Sequence, residues 1–370
     1  MRNHWQQFLV EQGYAVTRHD ACLENEQEQL QAEKNRPESA LVEINAQQLT
    51  KEIFPAVSHD VFMTPLETRQ CVAFAGADRE TFLQGQLSND IDLLQTDVSQ
   101  LSGLHSAKGR VIEILRLVSL EDTLGVWLNA KNTEQVLSHL RMFILRAHVD
   151  IKTEIDCFGI GVSGPGLDEA LKKINLPPPS IVNTGIKIDR ATIVKVHSPA
   201  WPRYEIYGEA HALKEIWREL KVSAALIDSN AWRRLEILSG IPEITSEYTD
   251  QYVSQMLNLD LLGAVSFTKG CYTGQEIIAR AKHLGRVKRR TFPLYINAEN
   301  ITPDTKIMTA EGTQSAGTII NCINHPAGGS IALAVLNIEY ATTKTLFCEA
   351  KEKVFVKVLS LPYAHIDEQL

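Results

Sequence analysis

Apolar and polar side chains follow a strand-like pattern over several short stretches of the first half of the chain. The pattern predicts strands at 70–75, 101–107, 111–120 and 123–129, with hairpin turns at 108–109 and 121–122. Apolar residues at helical spacing predict two helices, one from Asp78 to Leu87 and one from Asn132 to Arg146. Because strands and helices do not alternate regularly, an α+β fold with antiparallel sheet is favoured.

A second set of similar elements follows, with strand patterns at 151–162, 185–196 and 204–207 and helix patterns at 167–174, 210–220 and 231–238. Asp228 or Ser229 is the expected N-cap of the last helix, and Gly240 with Pro242 is its expected stop signal. From residue 290 onward the chain has only short strand patterns, at 291–296, 318–322, 330–336, 343–348 and 354–359. Their spacing predicts a small antiparallel barrel.

The length of 370 residues exceeds what one hydrophobic core usually supports, so we expect several domains. Residues 1–54 have few apolar anchors and a Gln/Glu-rich segment at 24–34, which predicts a helical or partly disordered extension. We expect a first α+β lobe at 55–150, a second at 151–289 and the barrel at 290–370.

Composition and charge narrow the classes of protein further. The formal net charge is −8, so any contact with nucleic acid must depend on a local basic patch. No apolar run reaches the roughly 20 residues of a membrane span, and no secretory signal is recognisable. The six cysteines lie far apart without a CxxC or HExxH motif, so we expect a cytoplasmic protein without a bound metal.

The stretch from Lys269 to Glu276 is typical of a helix start. Thr273 and Glu276 have capping-box spacing, and Ile277, Ala281 and Leu284 then predict one buried helical face.

Cys271 lies just before this predicted helix, where unpaired N–H groups favour a thiolate, and Lys269 favours the charged form too. The residues alone support two interpretations equally, a reactive thiol or a small buried residue beside a glycine turn.

The run Lys-Gly-Cys-Tyr-Thr-Gly-Gln-Glu resembles the hallmark of YgfZ-type folate-binding proteins, relatives of the glycine-cleavage T-protein in the GcvT-like superfamily and of mitochondrial iron–sulfur assembly factors. Other short segments match the family in the same order along the chain, and the resemblance covers roughly residues 60–362. They are Phe82–Leu87 with Asp90, Ala107–Arg110, Trp232 before Gly240-Ile241-Pro242, Leu262–Phe267, and Ala279-Arg280.

The resemblance implies two intertwined antiparallel-sheet lobes with helices plus a C-terminal barrel around a folate-sized hole. It implies a tetrahydrofolate-type ligand, with Trp232 against the folate ring, and a reactive Cys271. It implies an accessory role in tRNA modification and in iron–sulfur enzyme maturation, with iron–sulfur enzymes, assembly proteins or tRNA-modifying enzymes as partners. The supporting motif residues would be Lys269, Gly270, Tyr272, Gly274, Gln275 and Glu276.

Two departures from the family pattern bear on folate binding. Cys71 stands where a second tryptophan is expected, and Leu238 stands where the T-protein has a pterin-binding glutamate. For aminomethyl transfer, Glu113 is either a catalytic carboxylate or an outward residue of an alternating strand. Aminomethyl transfer is therefore the lesser alternative, and an RNA-binding module is another.

A basic run extends from Arg280 to Arg290 in this otherwise acidic chain. It is either an anion site beside Cys271, for the glutamate tail of folate, a phosphate or RNA, or a solvated helix end. We expect the anion contacts at Arg280 and Lys282, the closest to the cysteine; the run also holds Arg286, Lys288, Arg289 and Arg290, together with His283.

Overall fold

The computed structural model describes residues 2–15, 44–54, 59–283, 287–310, 312, 314–349 and 353–363. The Gln/Glu-rich segment at 24–34 lies outside these residues. The described helices are α1 Arg2–Glu11, α2 Ala46–Ile53, α3 Arg79–Gln86, α4 Leu94–Asp97, α5 Thr133–Ile144, α6 Leu167–Lys173, α7 Ala210–Lys221, α8 Ser229–Leu238, α9 Gln275–His283 and α10 Ile338–Thr343.

The first sheet has five strands in the order β3-β4-β5-β2-β6, and its described pairs are antiparallel. The predicted strands and hairpin turns of this region are confirmed. The bounds are β2 Arg69–Ala75, β3 Ser99–His105, β4 Val111–Ser119, β5 Leu124–Asn129 and β6 Asp150–Lys152.

The second sheet has six strands in the order β11-β1-β7-β10-β9-β8. Its strand β1 comes from before the first sheet in the chain, so the two sheets are intertwined, and β1 pairs in parallel with β11 and antiparallel with β7. The bounds are β1 Val61–Pro65, β7 Phe158–Ser163, β8 Gly185–Ile188, β9 Ala191–Lys195, β10 Arg203–Gly208 and β11 Ala224–Leu226.

The C-terminal segment forms a closed barrel with the order β12-β15-β14-β13-β16-β17, which confirms the predicted small antiparallel barrel. Strand β13, which the pattern did not predict, completes the closure. The bounds are β12 Arg289–Ile296, β13 Lys306–Thr309, β14 Ser315–Asn324, β15 Ser330–Asn337, β16 Leu346–Glu349 and β17 Lys353–Val358.

Two predicted strands are each two strands in the structure. The pattern at 151–162 is interrupted by the polar residues Thr153 and Glu154, and its halves β6 and β7 lie in different sheets. The pattern at 185–196 is a hairpin of β8 and β9, which turns at Asp189 with a φ of +49°. Short polar breaks therefore ended strands that the apolar pattern alone had joined.

The N-terminal helix α1 packs onto the second lobe through aromatic side chains. The ring of Trp5 stacks on Phe158 at 5.4 Å between centroids and meets Trp217 edge-on at 6.2 Å. This buried cluster anchors the start of the chain beside β7 and α7. None of the helices in the described part of the chain is long and apolar enough to cross a membrane.

Candidate functional site

The loop that carries Cys271 is anchored to the first lobe by the ammonium group of Lys269. Its Nζ donates hydrogen bonds to the carbonyl oxygens of Gln84 at 2.7 Å and of Leu87 and Asn89 at 2.8 Å each. These carbonyls lie at and just beyond the end of α3, where backbone oxygens lack helical partners and favour a cation. Lys269 therefore joins two of the motifs, residues 82–87 and 269–276, at one point.

All three ammonium hydrogens of Lys269 are used in these bonds. Burial lowers the pKa of Lys269 to about 8, and the charges of Asp90 and Asp92 partly oppose that shift. The hydrogen bonds favour a role in which Lys269 positions the loop. The direct activation of Cys271 by Lys269 stays a prediction.

Two glycines lock the same loop onto the β3–β4 hairpin. Gly274 has a φ of +83°, and a Cβ added there would lie 2.6 Å from the carbonyl oxygen of Ser106 and 2.9 Å from the Cα of Gly109. A Cβ on Gly109 would in turn meet the Cβ of Ile277 at 2.7 Å. The backbones approach so closely that only glycine fits on either side. The third motif, residues 107–110, thus belongs to the same site.

The helix after the loop begins later than the capping-box prediction placed it. Helix α9 starts at Gln275, and the Thr273 hydroxyl donates to the Gln86 side chain at 3.4 Å. No capping-box hydrogen bond joins Thr273 to Glu276 among the described residues. The tight packing of Gly274 against the hairpin fixes the turn, so the predicted cap is wrong.

The predicted buried face of this helix is also wrong by one position. Ile278 is fully buried, whereas Ile277 is 40% exposed and lies over Gly109. Leu284, the last residue of the predicted face, lies outside the described residues. The buried face of α9 therefore passes through Ile278 and not through Ile277.

Cys271 itself is exposed, which contradicts the alternative of a small buried residue. The other cysteines of the described residues are buried: Cys71, Cys157, Cys322 and Cys348. Beside it, Tyr272 is buried, which raises the pKa of its hydroxyl to about 12, and Gln275 donates from Nε2 to the Gly270 carbonyl at 3.4 Å. The exposed sulfur therefore lies on a loop in which Tyr272 is buried and Gln275 bonds back to the backbone of Gly270.

The basic run divides into two groups. Arg280 and Lys282 are exposed on α9, and the Lys282 ammonium lies 3.7 Å from the centroid of the Phe267 ring. Arg290 is instead buried and forms a bidentate ion pair with Asp260, with both N–O distances at 2.9 Å. Arg290 is thus a structural residue. Arg280 as a ligand contact stays a prediction, and Arg286 lies outside the described residues.

Trp232 belongs to a different part of the molecule from the Cys271 loop. Its side chain is 4% exposed and packs on Gly161 of β7, where an added Cβ would lie 2.8 Å from the ring. The Arg203 guanidinium lies 4.9 Å from the ring centroid, and the buried indole N–H of Trp232 has no hydrogen-bond partner. A buried donor without a partner is consistent with a site in which a polar ligand supplies the acceptor.

A buried cluster of charges lies between the two sheets. The Arg69 guanidinium donates to Glu205 at 2.8 Å and to Glu236, while Arg116 lies 3.8 Å from the other Glu205 oxygen. Tyr207 also donates its hydroxyl hydrogen to Glu205. The pKa of the Glu205 carboxyl is lowered overall, because the neighbouring arginines outweigh the effect of burial.

Two cavities meet at this cluster. The outer cavity has a volume of about 470 Å³ and the inner cavity about 70 Å³, and Arg69 and Trp127 line both. Trp127 lies beside Cys71 on the paired strand, so an aromatic ring from β5 borders the space near the position where the family has tryptophan. Its indole N–H is buried without a hydrogen-bond partner, like that of Trp232.

The inner cavity contains carboxylates that bear on the two remaining departures. Glu113 is buried and faces the cavity, so the outward alternative is wrong, and burial raises its pKa to about 8. It accepts hydrogen bonds from Asn132 at 2.7 Å and from the backbone of Ile114 at 2.9 Å. Leu238 is fully buried, and helix α8 instead presents Glu236 to the cavity.

Several of these residues were not identified from the sequence. Arg116 and Arg203 lie in strands whose pattern of apolar and polar residues did not indicate that an arginine is buried there. The only available signal is the set of charged residues within otherwise apolar strands: Arg69, Arg116, Arg203 and Glu205.

The sheets, barrel and interlaced β1 define a protein of the T-protein-like fold class. The crystal structure of glycine cleavage system aminomethyltransferase T from Bartonella henselae matches with a TM-score of 0.69 and 18% identity, covering 87% of this chain and 90% of that one. At this identity the likeness establishes the fold, which confirms the predicted architecture.

Sequence comparison then gives the family. The chain is 30% identical over 301 residues to the tRNA-modifying protein YgfZ of Yersinia pestis (strain Pestoides F), covering 80% of this chain and 91% of the relative. It is 28% identical to the protein of the same name from Yersinia enterocolitica serotype O:8 / biotype 1B, with the same coverage. No family model matches the chain. The chain belongs to the YgfZ family, as the motif around Cys271 predicted.

Proposed function

We propose that this protein is a folate-binding accessory factor that supports tRNA modification and the maturation or activity of iron–sulfur enzymes, with Cys271 as its reactive thiol. The observation that carries the proposal is the exposed Cys271 on a loop tied to the end of α3 and to the β3–β4 hairpin of a YgfZ-family fold. Its relatives are tRNA-modifying proteins by name. The proposed setting is the cytoplasm.

The loop supports thiol chemistry by holding the sulfur in one place while leaving it accessible. Lys269 fixes the loop's start and Gly274 its end, so a partner meets Cys271 in a defined orientation. Apart from its chain neighbours, nothing lies within 4 Å of a Cβ added at Gly270, so the loop is open at the residue before Cys271.

The paired cavities fit a folate. A volume of about 470 Å³ falls within the range of sites for drug-sized ligands. Trp127 supplies an aromatic face, and Gln70, Glu134 and Glu154 supply acceptors for pterin N–H groups. Bound there, a tetrahydrofolate would supply one-carbon or redox chemistry, and the residues named would bind and orient it. Trp232 is a proposed contact through its orphaned indole N–H.

The exposed cations near Cys271 are the proposed contacts for a negatively charged partner. Arg280 and Lys282 lie on the helix that follows the loop, and Lys108 is exposed on the hairpin that packs against it. Such groups attract phosphate or carboxylate. The proposed partners are iron–sulfur enzymes, their assembly proteins and tRNA-modifying enzymes.

The test of the thiol role uses two serine variants expressed in cells that lack the native protein. Cys271→Ser should abolish the restoration of iron–sulfur enzyme activities and of tRNA modification, while its thermal unfolding stays unchanged. Cys322→Ser is the matched control, because the buried Cys322 sulfur donates to the Ile301 carbonyl at 2.9 Å and a serine hydroxyl can do the same. Full restoration by Cys271→Ser would exclude the thiol role.

The test of folate binding uses tryptophan fluorescence. Titration with 5-formyltetrahydrofolate should quench the protein, and Trp127→Phe and Trp232→Phe should each reduce the change. Trp217→Phe should not, because Trp217 lies in the core beneath α1. Absence of a saturable change, confirmed by calorimetry, would favour an interaction scaffold without a folate.

Aminomethyl transfer is kept as a second candidate because Glu113 faces the inner cavity. Its raised pKa would let it hold a proton at neutral pH, as an acid or base in transfer chemistry requires. Turnover of an aminomethyl-lipoyl carrier with tetrahydrofolate, lost in Glu113→Gln, would establish this activity.

RNA binding is the third candidate, and the exposed Arg280 and Lys282 favour it. A tRNA complex held by phosphate contacts must weaken steeply as salt is raised. Salt-dependent tRNA binding that is lost in Arg280→Met would support this function.

A further inference from the structure

Two cysteines from different lobes meet at the wall of the outer cavity. Cys71 lies in β2 of the first sheet, and Cys157 is the residue before β7 of the second sheet. Both side chains line the outer cavity, and both belong to the same buried cluster. Each is a free thiol in the structure. The wall of the cavity therefore contains a reduced pair of cysteines.

The course of the chain brings these two residues together. Strand β6 pairs antiparallel with β2, with Lys152 opposite Ala73, so the segment that follows β6 runs past Cys71. This segment, residues 153–157, crosses from the first sheet to the second and ends at Cys157. A covalent bond between the two sulfurs would tie the sheets together at the point where the chain crosses between them.

The two thiols differ in accessibility. Cys157 is 9% exposed and Cys71 4%, and Cys157 also lines a further cavity of about 300 Å³. Burial, a hydrogen bond with Cys157 and the charge of Cys157 hold the pKa of the Cys71 thiol well above its ordinary value. Because the thiolate is the reactive form, Cys157 is the thiol that a small oxidant meets first, and Cys71 is the thiol that reacts second.

We propose that Cys71 and Cys157 are a redox-active dithiol that a peroxide oxidises to an intramolecular disulfide between the two lobes. The Cys157 sulfur attacks one peroxide oxygen, the O–O bond breaks, and the leaving hydroxide takes the Cys157 proton as water, which leaves a sulfenic acid. The Cys71 sulfur then attacks the Cys157 sulfur, the S–O bond breaks, and the leaving hydroxide takes the Cys71 proton as a second water. The two thiols lose two electrons, and hydrogen peroxide gains them.

The site is separate from the exposed Cys271 and does not rest on the folate function. A sulfenic acid with a thiol beside it condenses to a disulfide, which reduction reverses, instead of passing to the irreversible sulfinic acid. The neighbouring Cys71 thus gives Cys157 a reversible product.

Peptide mapping by mass spectrometry tests the proposal on the full chain treated with hydrogen peroxide, after the remaining thiols have been alkylated. The wild type should yield the Cys71 and Cys157 peptides joined by a disulfide, and dithiothreitol should release them. Cys71→Ser should instead leave Cys157 as a sulfenic acid that dimedone traps, and Cys157→Ser should leave Cys71 as a thiol. Cys348→Ser is the matched control and should form the disulfide as the wild type does, because Cys348 is buried in the barrel.

Thermal unfolding shows whether the disulfide fits the folded protein. A cross-link between residues distant in the chain restricts the unfolded state, so the oxidised wild type should melt about 3–8 °C above the reduced wild type. Oxidised Cys71→Ser should show no such rise. A lower melting temperature of the cross-linked wild type would show that the bond forms only in a distorted chain, which would overturn the assignment.

Three further results would also overturn the proposal. The first is oxidation of Cys271 while Cys71 and Cys157 are both recovered as alkylated thiols. The second is oxidation of Cys71, Cys157 and Cys348 at one common rate, because peroxide would then reach buried thiols through unfolding. The third is a lasting sulfenic acid at Cys157 in the wild type, because Cys71 would then be out of reach. None of these measurements involves a folate, so the proposed function stands or fails separately.

Discussion

Replacing Lys269 by methionine removes the three hydrogen bonds that tie the Cys271 loop to the end of α3. Two of the acceptors, the carbonyls of Leu87 and Asn89, lie in buried contacts, whereas the contact at Gln84 is part-buried. A buried acceptor left unsatisfied costs about 1–3 kcal/mol, and water can replace the bond at Gln84. Since methionine also avoids the cost of burying a charge, we expect a loss of about 2–5 kcal/mol in unfolding free energy.

Chemical denaturation at neutral pH measures this loss, and the reaction rate of Cys271 with a maleimide reports on the loop. If Lys269 positions the loop, Lys269→Met should leave the rate unchanged or raise it, because the loop opens more often. If Lys269 instead activates the thiol, the rate at neutral pH should fall. Lys282→Met is the control, because this exposed lysine makes one cation–π contact worth at most about 1 kcal/mol.

A loss below about 1 kcal/mol in Lys269→Met, no larger than in Lys282→Met, would show that the carbonyl contacts do not hold the loop. A slower maleimide reaction with unchanged stability would instead assign Lys269 to thiol activation.

Three further predictions concern the same loop and the inner cavity. Gly274→Ala should destabilise the protein by about 2–4 kcal/mol, because the new Cβ meets backbone atoms of Ser106 and Gly109. The control Gly270→Ala, in the same loop, should change the stability by no more than about 0.5 kcal/mol. Equal melting temperatures of the two variants would contradict the close approach of the backbones at Gly274. In chemical denaturation, Ile278→Ala should lower the unfolding free energy by about 2–4 kcal/mol and Ile277→Ala by less than about 1 kcal/mol. The reverse order would support the buried face through Ile277 that the sequence predicted. Glu113→Gln should gain stability relative to the wild type as pH rises from about 4.5 to about 8, because folded Glu113 keeps its proton while unfolded glutamate loses it. A difference between the two proteins that does not change with pH would show that Glu113 is not held protonated.

Sequence patterns predicted the parts of the fold that are specified locally. The α8 helix illustrates this, because its cap Asp228 accepts a hydrogen bond from the backbone of Ala231, three residues away. Strand β1 was missed because it is short, ends in Pro65 and is completed by partners distant in the chain. Local patterning cannot show such a strand.

The candidate site divides in the same way. The motif around Cys271 identified the family and gave the position of the exposed thiol, since those residues are contiguous. The inward direction of Arg116 and Arg203 depends on which sheets face each other, and their apolar strand neighbours gave no sign of a charge cluster. The contact of Lys269 with three backbone carbonyls carries no signal in side-chain identity at all.

The insertion of β1 between β7 and β11 has a consequence for how the protein is made. Val61 emerges from the ribosome long before its partner Ala224, about 160 residues later, which at typical rates of synthesis is a delay on the order of 10 s. The five strands of the first sheet lie within residues 69–152 and are made before then, whereas β1 must wait for β7 and β11 to complete the second sheet. The first lobe can therefore form before the second, whose sheet closes around an early strand only after β11 has been synthesised.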